Sequence, residues 1–578
     1  MITRHSLASP NESIRDVVHR IDLAKARGGE VGIAVVVEAD SRVVGAVTDG
    51  DIRRALCKEV DFSAPVSEIM SRDPVCVPAG LDFTQTMRLG LDKMQSRNVT
   101  VDKFILVDEE NKFVDIINLH TLYRGEDVGV KRLAVYGMGF VGLTLAVTLA
   151  ENPLFKVEGI DPNEDVIRGL RAGSPHFYEK GLESLLHRLL DTKAITLNTP
   201  AEALGAADVH IVSVGTPVDG SRRAATRYLR SCAEQIGAVL REGDMVICRS
   251  TVPVGTTRGF FIPLLEQRSE LTAGRDFHVT FAPERTVEGD ALRELRTLPQ
   301  VVGGLTSRCR EVAAKLFQKT TATVVFVESL EAAEIIKLIN NSYRDLVFGF
   351  SNEVAFMCDQ YNIDAFDIIA AANDGYPRNP IPRPSPGVGG VCLSKDPYLY
   401  SIHDTIDAAD SFASMSLGAA SRAINERGAE YVLWSFRKFL KSSRMEQERL
   451  KVLVVGVAFK GFPDTSDIRF SAAVDLINGL RDGGHQVFAF DAIVPPDEIR
   501  AAGAHPGQLL EGLRDCHAVF FMNNHPRNTE FELYAGLKTM SRPCLFFDGW
   551  KAFSRGEVES VPGVKYSTMG YTTRAPDA

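Results

Sequence analysis

Residues 131–161 read KRLAVYGMGFVGLTLAVTLAENPLFKVEGID. The order is an apolar strand, a turn Gly137-x-Gly139-x-x-Gly142, an apolar helix, a second strand and then Asp161. Each part has a mechanical reason. Gly137 permits the tight turn, Gly139 lets the backbone approach a pyrophosphate, and Gly142 lets the helix lie close to the sheet with its first amides facing the phosphates. Phe140 and Val141 complete the predicted cofactor cradle, and Asp161 is placed to accept ribose hydroxyls. An aspartate there repels a 2′-phosphate, and no arginine follows it directly, so NAD is expected rather than NADP. Glycines alone could serve packing only; strand, helix and correctly spaced acid together favour a dinucleotide site.

The strand–helix alternation continues outward. DVHIVSVGTPVD (208–219) and DMVICRSTVPVGTT (244–257) place Thr216 and Ser250-Thr251 after apolar strands, at ends that face the ligand crevice of an open α/β sheet. HVTFAPERTVEG (278–289) delivers Glu284 and Glu288 towards the same rim, unless both are ordinary solvated acids. Residues 329–361 read as one long helix on which Lys337 and Asn341, four apart, share a face. They can jointly hold an oxyanion, or they are two polar residues on a wet face. In PSPGVGGVCLSKDPYLY (384–400) three glycines lead into Cys392, and Asp396-Pro397 looks like a helix cap and first residue. The glycines free the backbone to bring amide donors and a substrate carbon close to a thiol, which a purely structural cysteine does not need. Asp396 suits orientation of Cys392 or of a hydrolytic water, and that role is compatible with capping. A second α/β unit follows, its strands in KVLVVGVAFKG, GHQVFAFDA, HAVFFMNN and PCLFFDGW.

Upstream, an internal pair is visible. A helix over 11–27 that Asn11 can cap, a hairpin (GIAVVVEAD, RVVGAVT) and DIRRALCKEV recur 70 residues later as DFTQTMRLGLDKMQSRNV, KFILVDEENKFVDII and NLHTLYR. The pair resembles a tandem cystathionine-β-synthase-type (CBS) module, through Gly45-Ala46-Val47-Thr48-Asp49-Gly50-Asp51. That resemblance implies an adenine nucleotide held by Thr48 and Asp51; the other reading is a plain helix start. The second unit has Asp115 to Thr121 there and lacks the final aspartate.

Length, composition and charge set the class. A chain of 578 residues is too long for one core, so three or four domains are expected. No uncharged apolar run reaches the roughly 18 residues a span needs, and the amino terminus lacks a secretory signal, so a cytoplasmic protein with no membrane partner is expected. Nine cysteines without C-x-x-C spacing argue against a disulfide framework and a metal site. A net charge of −10 without a concentrated basic run argues against nucleic acid.

Taken together, GMGFVG with Asp161, STVPVGTT, FAPER, Lys337 with Asn341, PGVGGVCLSKDP and GVAFKGFPDTSDIR stand in the order of the UDP-glucose/GDP-mannose dehydrogenase family, which the chain resembles over roughly 131–565. NDGYPRNPIPRPSPGVGG is most similar to the branch acting on UDP-N-acetylmannosamine and related UDP-N-acetylhexosamines, while Lys395-Asp396 is also similar to the UDP-glucose branch. The resemblance implies an α/β chain: a CBS module (1–125), a Rossmann-like NAD domain (131–327), a central helical dimerisation domain (328–445) and a second Rossmann-like, UDP-sugar-binding domain (450–578). It implies a 6-dehydrogenase that uses NAD to oxidise the sugar's primary alcohol to a carboxylate. Cys392 is then the nucleophile, Lys337 and Asn341 stabilise the oxyanion, and Thr251, Glu284 and Asp396 position water and shuttle protons. Thr216, Thr251 and Lys395 join the cofactor site. Glu284, Glu288, Lys337, Asn341, Gly389, Gly390, Lys460 and Arg469 bind the nucleotide-sugar, and Arg378 reaches the substrate of the partner in a homodimer.

Three departures bear on the sugar's identity. Val391 stands where a polar or aromatic residue is common, Phe470 where a polar residue is usual, and SRRAATRYL (221–229) replaces an acidic stretch. Two rival readings stand beside the enzyme: a silent sensor of NAD and nucleotide-sugar that signals through the CBS pair, and a one-step alcohol dehydrogenase that needs no cysteine. An activated thiol kept with its polar neighbours favours the two-step enzyme.

Overall fold

A computed structural model describes residues 7–24, 32–58, 60–79, 83–97, 101, 103–118, 131–203, 205, 207–219, 224–378, 380–400 and 416–572. Two compact units divide the chain, residues 1–128 and 129–578.

The first unit repeats as its sequence does. Strands Ile33–Val37 and Val43–Thr48 pair antiparallel with the short Leu7–Ala8 alongside, and Lys103–Val107 and Phe113–Asn118 pair likewise beside Cys76–Pro78. Alternation sends Ile33, Val35, Ile105 and Val107 into one shared apolar cluster. The first helix runs Ile14–Ala24, and Ser13, not Asn11, caps it: its Oγ accepts from the Asp16 amide at 3.2 Å. Of the helix predicted at NLHTLYR, Asn118 ends the strand Phe113–Asn118 and the rest lies outside the described residues.

In the second unit, strands β1 (Lys131–Tyr136), β2 (Phe155–Ile160), β3 (Ile195–Asn198), β4 (Val209–Val212), β5 (Met245–Cys248), β6 (His278–Phe281), β7 (Gln300–Gly304) and β8 (Val324–Val327) form one sheet. Their spatial order is β8-β7-β6-β5-β4-β1-β2-β3, parallel except where β6 meets β7. Apart from the edge strand β8, whose Val325 and Phe326 are exposed, the strands are largely apolar on both faces because helices cover both, which separates the interior into two large clusters. Helix α1 (Phe140–Ala150) is buried at every position from Gly142 onward, which explains its lack of a polar face. β1 is flanked by β2 and β4, and the reversal of strand order there opens the crevice for a ligand.

Helix α2 (Leu330–Gln360) follows, 31 residues long with Ser329 as its cap. Then come the cysteine loop, the short α3 (Asp396–Tyr400) and α4 (Leu417–Asn425), both packed on α2. The last sheet is parallel throughout: Lys451–Val455 at the centre, Gln486–Phe490 and His505–Pro506 to one side, Ala518–Phe521, Cys544–Asp548 and Val564–Thr568 to the other. Among the described residues, no helix is long and apolar enough to cross a membrane.

Candidate active site

The glycine turn fits a dinucleotide. Gly137 adopts φ +91°, a conformation costly for any side chain, and a Cβ at Gly142 would lie 1.7 Å from the Gly137 carbonyl oxygen. Both are needed by the fold itself. Gly139 is different: a Cβ there would meet nothing within 4 Å, so the protein leaves open the space that a pyrophosphate would take. Gly139 caps α1, which aims free amides, those of Phe140 and Val141 among them, at that space. Asp161 sits beyond β2, its carboxylate oriented by the amides of Met138 (2.8 Å) and Asn163 (2.9 Å). Across the crevice Thr216 donates its hydroxyl to the Thr251 carbonyl, joining the ends of β4 and β5.

Helix α2 brings the reacting groups together. Lys337 is buried, and its charge acts to lower the pKa of both the Glu284 carboxyl and the Cys392 thiol. One turn on, Asn341 Nδ2 donates to Asp396 Oδ2 at 2.5 Å, and Lys395 Nζ donates to Asp396 Oδ1 at 2.7 Å. The sequence reading made Asp396 a helix cap; instead α3 begins at Asp396 itself, and its fully buried carboxylate is turned to these two side chains. Lys395, expected at the cofactor, places its ammonium on Asp396 beside the thiol.

Cys392 is exposed, in the turn between Gly390 and the start of α3. Burial among protein atoms is the largest influence on its thiol and pushes the pKa above the ordinary value; Lys337 lowers it, Asp396 raises it and Lys395 lowers it. A lysine beside a thiol by itself makes the thiolate more accessible. Lys337 acts in that direction, and desolvation outweighs it.

Glu284 does not stand free at the rim. It is almost fully buried, Arg249 donates Nε (3.2 Å) and Nη2 to its Oε2, and the amides of Arg285 and Thr286 donate to Oε1 at 2.7 and 2.8 Å. Burial alone would raise its pKa, but Arg249 and these bonds bring it below the ordinary carboxylate value. It is a fixed anion. Glu288 is the opposite case: burial first, then Asp467, push it up to about 7 against the pull of Arg469 and Lys460. Lys460 Nζ donates to the Glu288 carbonyl at 2.5 Å, and the Thr465 hydroxyl donates to Glu288 Oε2 at 3.4 Å, so the segment after β6 meets the loop after Lys451–Val455. Arg469 holds Asp467 with Nε (2.9 and 3.0 Å) and Nη2 (2.5 Å).

The glycines before Cys392 also serve packing. A Cβ at Gly389 would lie 2.3 Å from the Phe470 carbonyl oxygen, and Gly390, at φ +86°, faces the Phe459 ring. Phe470 has φ +55° and is 64% exposed, so this residue presents an aromatic surface beside the cysteine loop. Arg378 stands apart and exposed, its guanidinium over the Tyr376 ring. In the first unit, Asp51 Oδ2 accepts from the Thr48 amide (2.8 Å) and hydroxyl (2.7 Å), and Arg54 holds Oδ1, so the helix-start reading describes both residues.

Sequence reasoning passed over Arg249, Glu334, Asp345 and Arg422. Glu334 Oε2 and Oε1 accept from the amides of Gly255 (2.6 Å) and Thr257 (2.9 Å), fastening the loop after Thr251 to α2. The signal was spacing: Lys337, Asn341 and Asp345 recur every four residues, one face of α2.

Comparison with known proteins agrees with this geometry. Residues 131–321, 331–427 and 453–555 match the NAD binding, central and UDP binding domains of the UDP-glucose/GDP-mannose dehydrogenase family, and residues 2–58 and 66–125 match CBS domains. A UDP-N-acetyl-D-mannosamine dehydrogenase of Pyrococcus horikoshii is 30% identical over 397 residues, 68% of this chain and 90% of the relative. The Campylobacter jejuni protein of that name is 32% identical over 356 residues, 60% and 82% of the two chains. A solved structure of the Pyrococcus horikoshii enzyme superposes with a TM-score of 0.68 at 28% identity, covering 76% of this chain and 99% of that one. The chain belongs to the UDP-glucose/GDP-mannose dehydrogenase family, as an NAD-dependent nucleotide-sugar dehydrogenase that carries CBS domains at its amino terminus.

Proposed function

We propose that the protein oxidises the primary alcohol of a UDP-N-acetylhexosamine to the carboxylate in two steps, with Cys392 as covalent nucleophile. One observation carries this reading: α2 holds Lys337 and Asn341 against the segment bearing Cys392, Lys395 and Asp396, beside the cofactor crevice. NAD, which the Gly137–Gly142 turn would hold, would supply the hydride acceptor for both oxidations, one equivalent for each. The alcohol carbon becomes an aldehyde, and the Cys392 sulfur adds to it as a thiohemiacetal whose oxyanion Lys337 and Asn341 stabilise. Oxidation of that adduct leaves a thioester. Water, oriented by Asp396 and Thr251, cleaves the thioester, releasing the acid and the thiol.

The raised thiol pKa fits this order, because attack is needed only once an aldehyde is present, and the proton can leave Cys392 as the bond forms. Glu284, held as an anion by Arg249 and two amides, contributes a fixed negative charge near Lys337 rather than moving protons. Lys460 and Arg469 supply cations for the diphosphate. The sugar assignment rests on the relatives, named as UDP-N-acetyl-D-mannosamine dehydrogenases. Mass spectrometry of the product from UDP-N-acetylmannosamine, UDP-N-acetylglucosamine and UDP-glucose with NAD tests it. A uronate from one of the acetamido sugars supports the reading; a uronate from UDP-glucose alone refutes the substrate class.

We further propose a homodimer through α2. Tyr343, Phe350 and Met357, seven residues apart, are 68%, 50% and 58% exposed, an apolar stripe along one face of a long helix. At the CBS pair we propose an adenine nucleotide, supported by the match to CBS domains.

A further inference from the structure

The loop that carries Cys392 is rich in glycine. Gly387, Gly389 and Gly390 lie within six residues of the nucleophile, and glycine loses more conformational freedom on ordering than any other residue. A thiol that must meet one carbon in one geometry needs that loop fixed from outside.

Arg422, on α4, supplies the fastening. Its side chain is 2% exposed, Nη2 donates to the Val388 carbonyl at 2.8 Å, and Nη1 donates to the Leu393 carbonyl at 3.3 Å. Those two carbonyls bracket residues 389–392. The guanidinium is braced from behind: Nη1 also donates to Asp345 Oδ1 at 2.9 Å, and Asp345 is fully buried one turn beyond Asn341 on α2. Asn425 Nδ2 donates to Asp345 Oδ1 and to its carbonyl, both at 2.9 Å, and the Ser421 hydroxyl donates to Asp345 Oδ2 at 3.1 Å. Asn352, held by Asn425, accepts from the Ser385 amide at 2.9 Å, so the start of the loop is tied to the same network.

We propose that Arg422, braced by Asp345, is the positioning residue for the Cys392 nucleophile, fixing both ends of the glycine loop through one planar fork. A buried ion pair is weak support for stability by itself, because desolvation offsets its attraction. A fork reaching two backbone carbonyls around a reactive group has a geometric use that a lysine, with a single point of charge, cannot reproduce.

The inference rests on the cysteine mechanism above, and its test separates the two. Arg422→Lys keeps the charge opposite Asp345 and loses the two-pronged reach; Ser421→Ala weakens the same helix contact without touching the loop. In full-length protein, Arg422→Lys is expected to lower kcat by about 10²-fold, the cost of displacing reacting groups by about 1 Å, with KM for NAD unchanged. Amide exchange of a peptide spanning 388–393 is expected to rise while peptides from α2 and α4 stay protected. Ser421→Ala, which removes one bond to Asp345 and leaves both carbonyl contacts of Arg422 in place, is expected to lower Tm with a far smaller effect on kcat and loop exchange than Arg422→Lys. Wild-type kcat and loop exchange in Arg422→Lys would overturn the proposal and leave the network a fastener between helices. Loop exchange reports on Arg422 even where no tested sugar is turned over, an outcome that counts against the substrate reading alone. Should Arg422→Lys not fold, Asp345→Asn takes its place: raised loop exchange with lower kcat supports the proposal, and wild-type values of both refute it.

Discussion

The electrostatics around Cys392 make a prediction of opposite signs from two neighbours. Asp396 raises the thiol's pKa and Lys337 lowers it, both against a larger desolvation cost. Asp396→Asn removes the raising charge and releases Lys395, whose ammonium now lies 2.7 Å from Asp396 Oδ1, to act on the thiol. A neighbouring full charge moves a pKa by about 1–3 units, so the midpoint is expected to fall by that order in Asp396→Asn and to rise by a like amount in Lys337→Met. One unit makes the thiolate about tenfold more or less abundant below the midpoint. The assay is the pH dependence of iodoacetamide labelling at Cys392, read by peptide mass spectrometry in the absence of sugar. Asp396→Asn is expected to label faster at neutral pH than wild type and yet to turn over more slowly, because the thioester lacks its water-orienting group. A midpoint that stays fixed, or moves the same way in both variants, would refute the reasoning.

Other outcomes follow from the same contacts. Arg249→Met leaves Glu284 buried without its counter-charge and is expected to destabilise the NAD-binding region by about 3–5 kcal/mol, while Arg249→Met with Glu284→Gln recovers part of that loss; urea midpoints check both. Glu288, pushed up to about 7, is neutral below that pH and anionic above it. Its fold-derived stabilisation is accordingly full below the ordinary glutamate pKa and lost as pH rises through about 7, and KM for the nucleotide-sugar is expected to climb over the same range. In Glu288→Gln that climb should vanish in a pH series of initial rates. Glu334→Ala leaves the Gly255 and Thr257 amides without their acceptor, about 1–3 kcal/mol, and is expected to weaken NAD binding in a titration. Phe350→Glu with Met357→Glu is expected to yield monomer in analytical ultracentrifugation.

The sequence was most legible where one residue type has one mechanical use. Gly137 and Gly142 stand where the backbone permits little else, and the acid at 161 lies beyond the second strand as its spacing required. The long helix at 329–361 and the hairpin repeat were likewise readable from period and length. What the sequence withheld was partnership. Arg249 sits in an apolar run with nothing local to show that Glu284, 35 residues on, takes its charge. Arg422 lies 77 residues from Asp345, so no local pattern joins them. Asp396 before a proline has the signature of a cap, yet a tertiary contact with Asn341 and a local one with Lys395 claimed its carboxylate. The sign of the Cys392 shift depends on crowding by distant segments, which no motif encodes.

The central claim is a two-step oxidation through Cys392, and counting reduced cofactor tests it most directly. With excess NAD and limiting UDP-N-acetylhexosamine, the account predicts two NADH per sugar and a uronate product, with uronate formation lost in Cys392→Ala. One NADH per sugar with an aldehyde released, or unchanged uronate formation in Cys392→Ala, would contradict it.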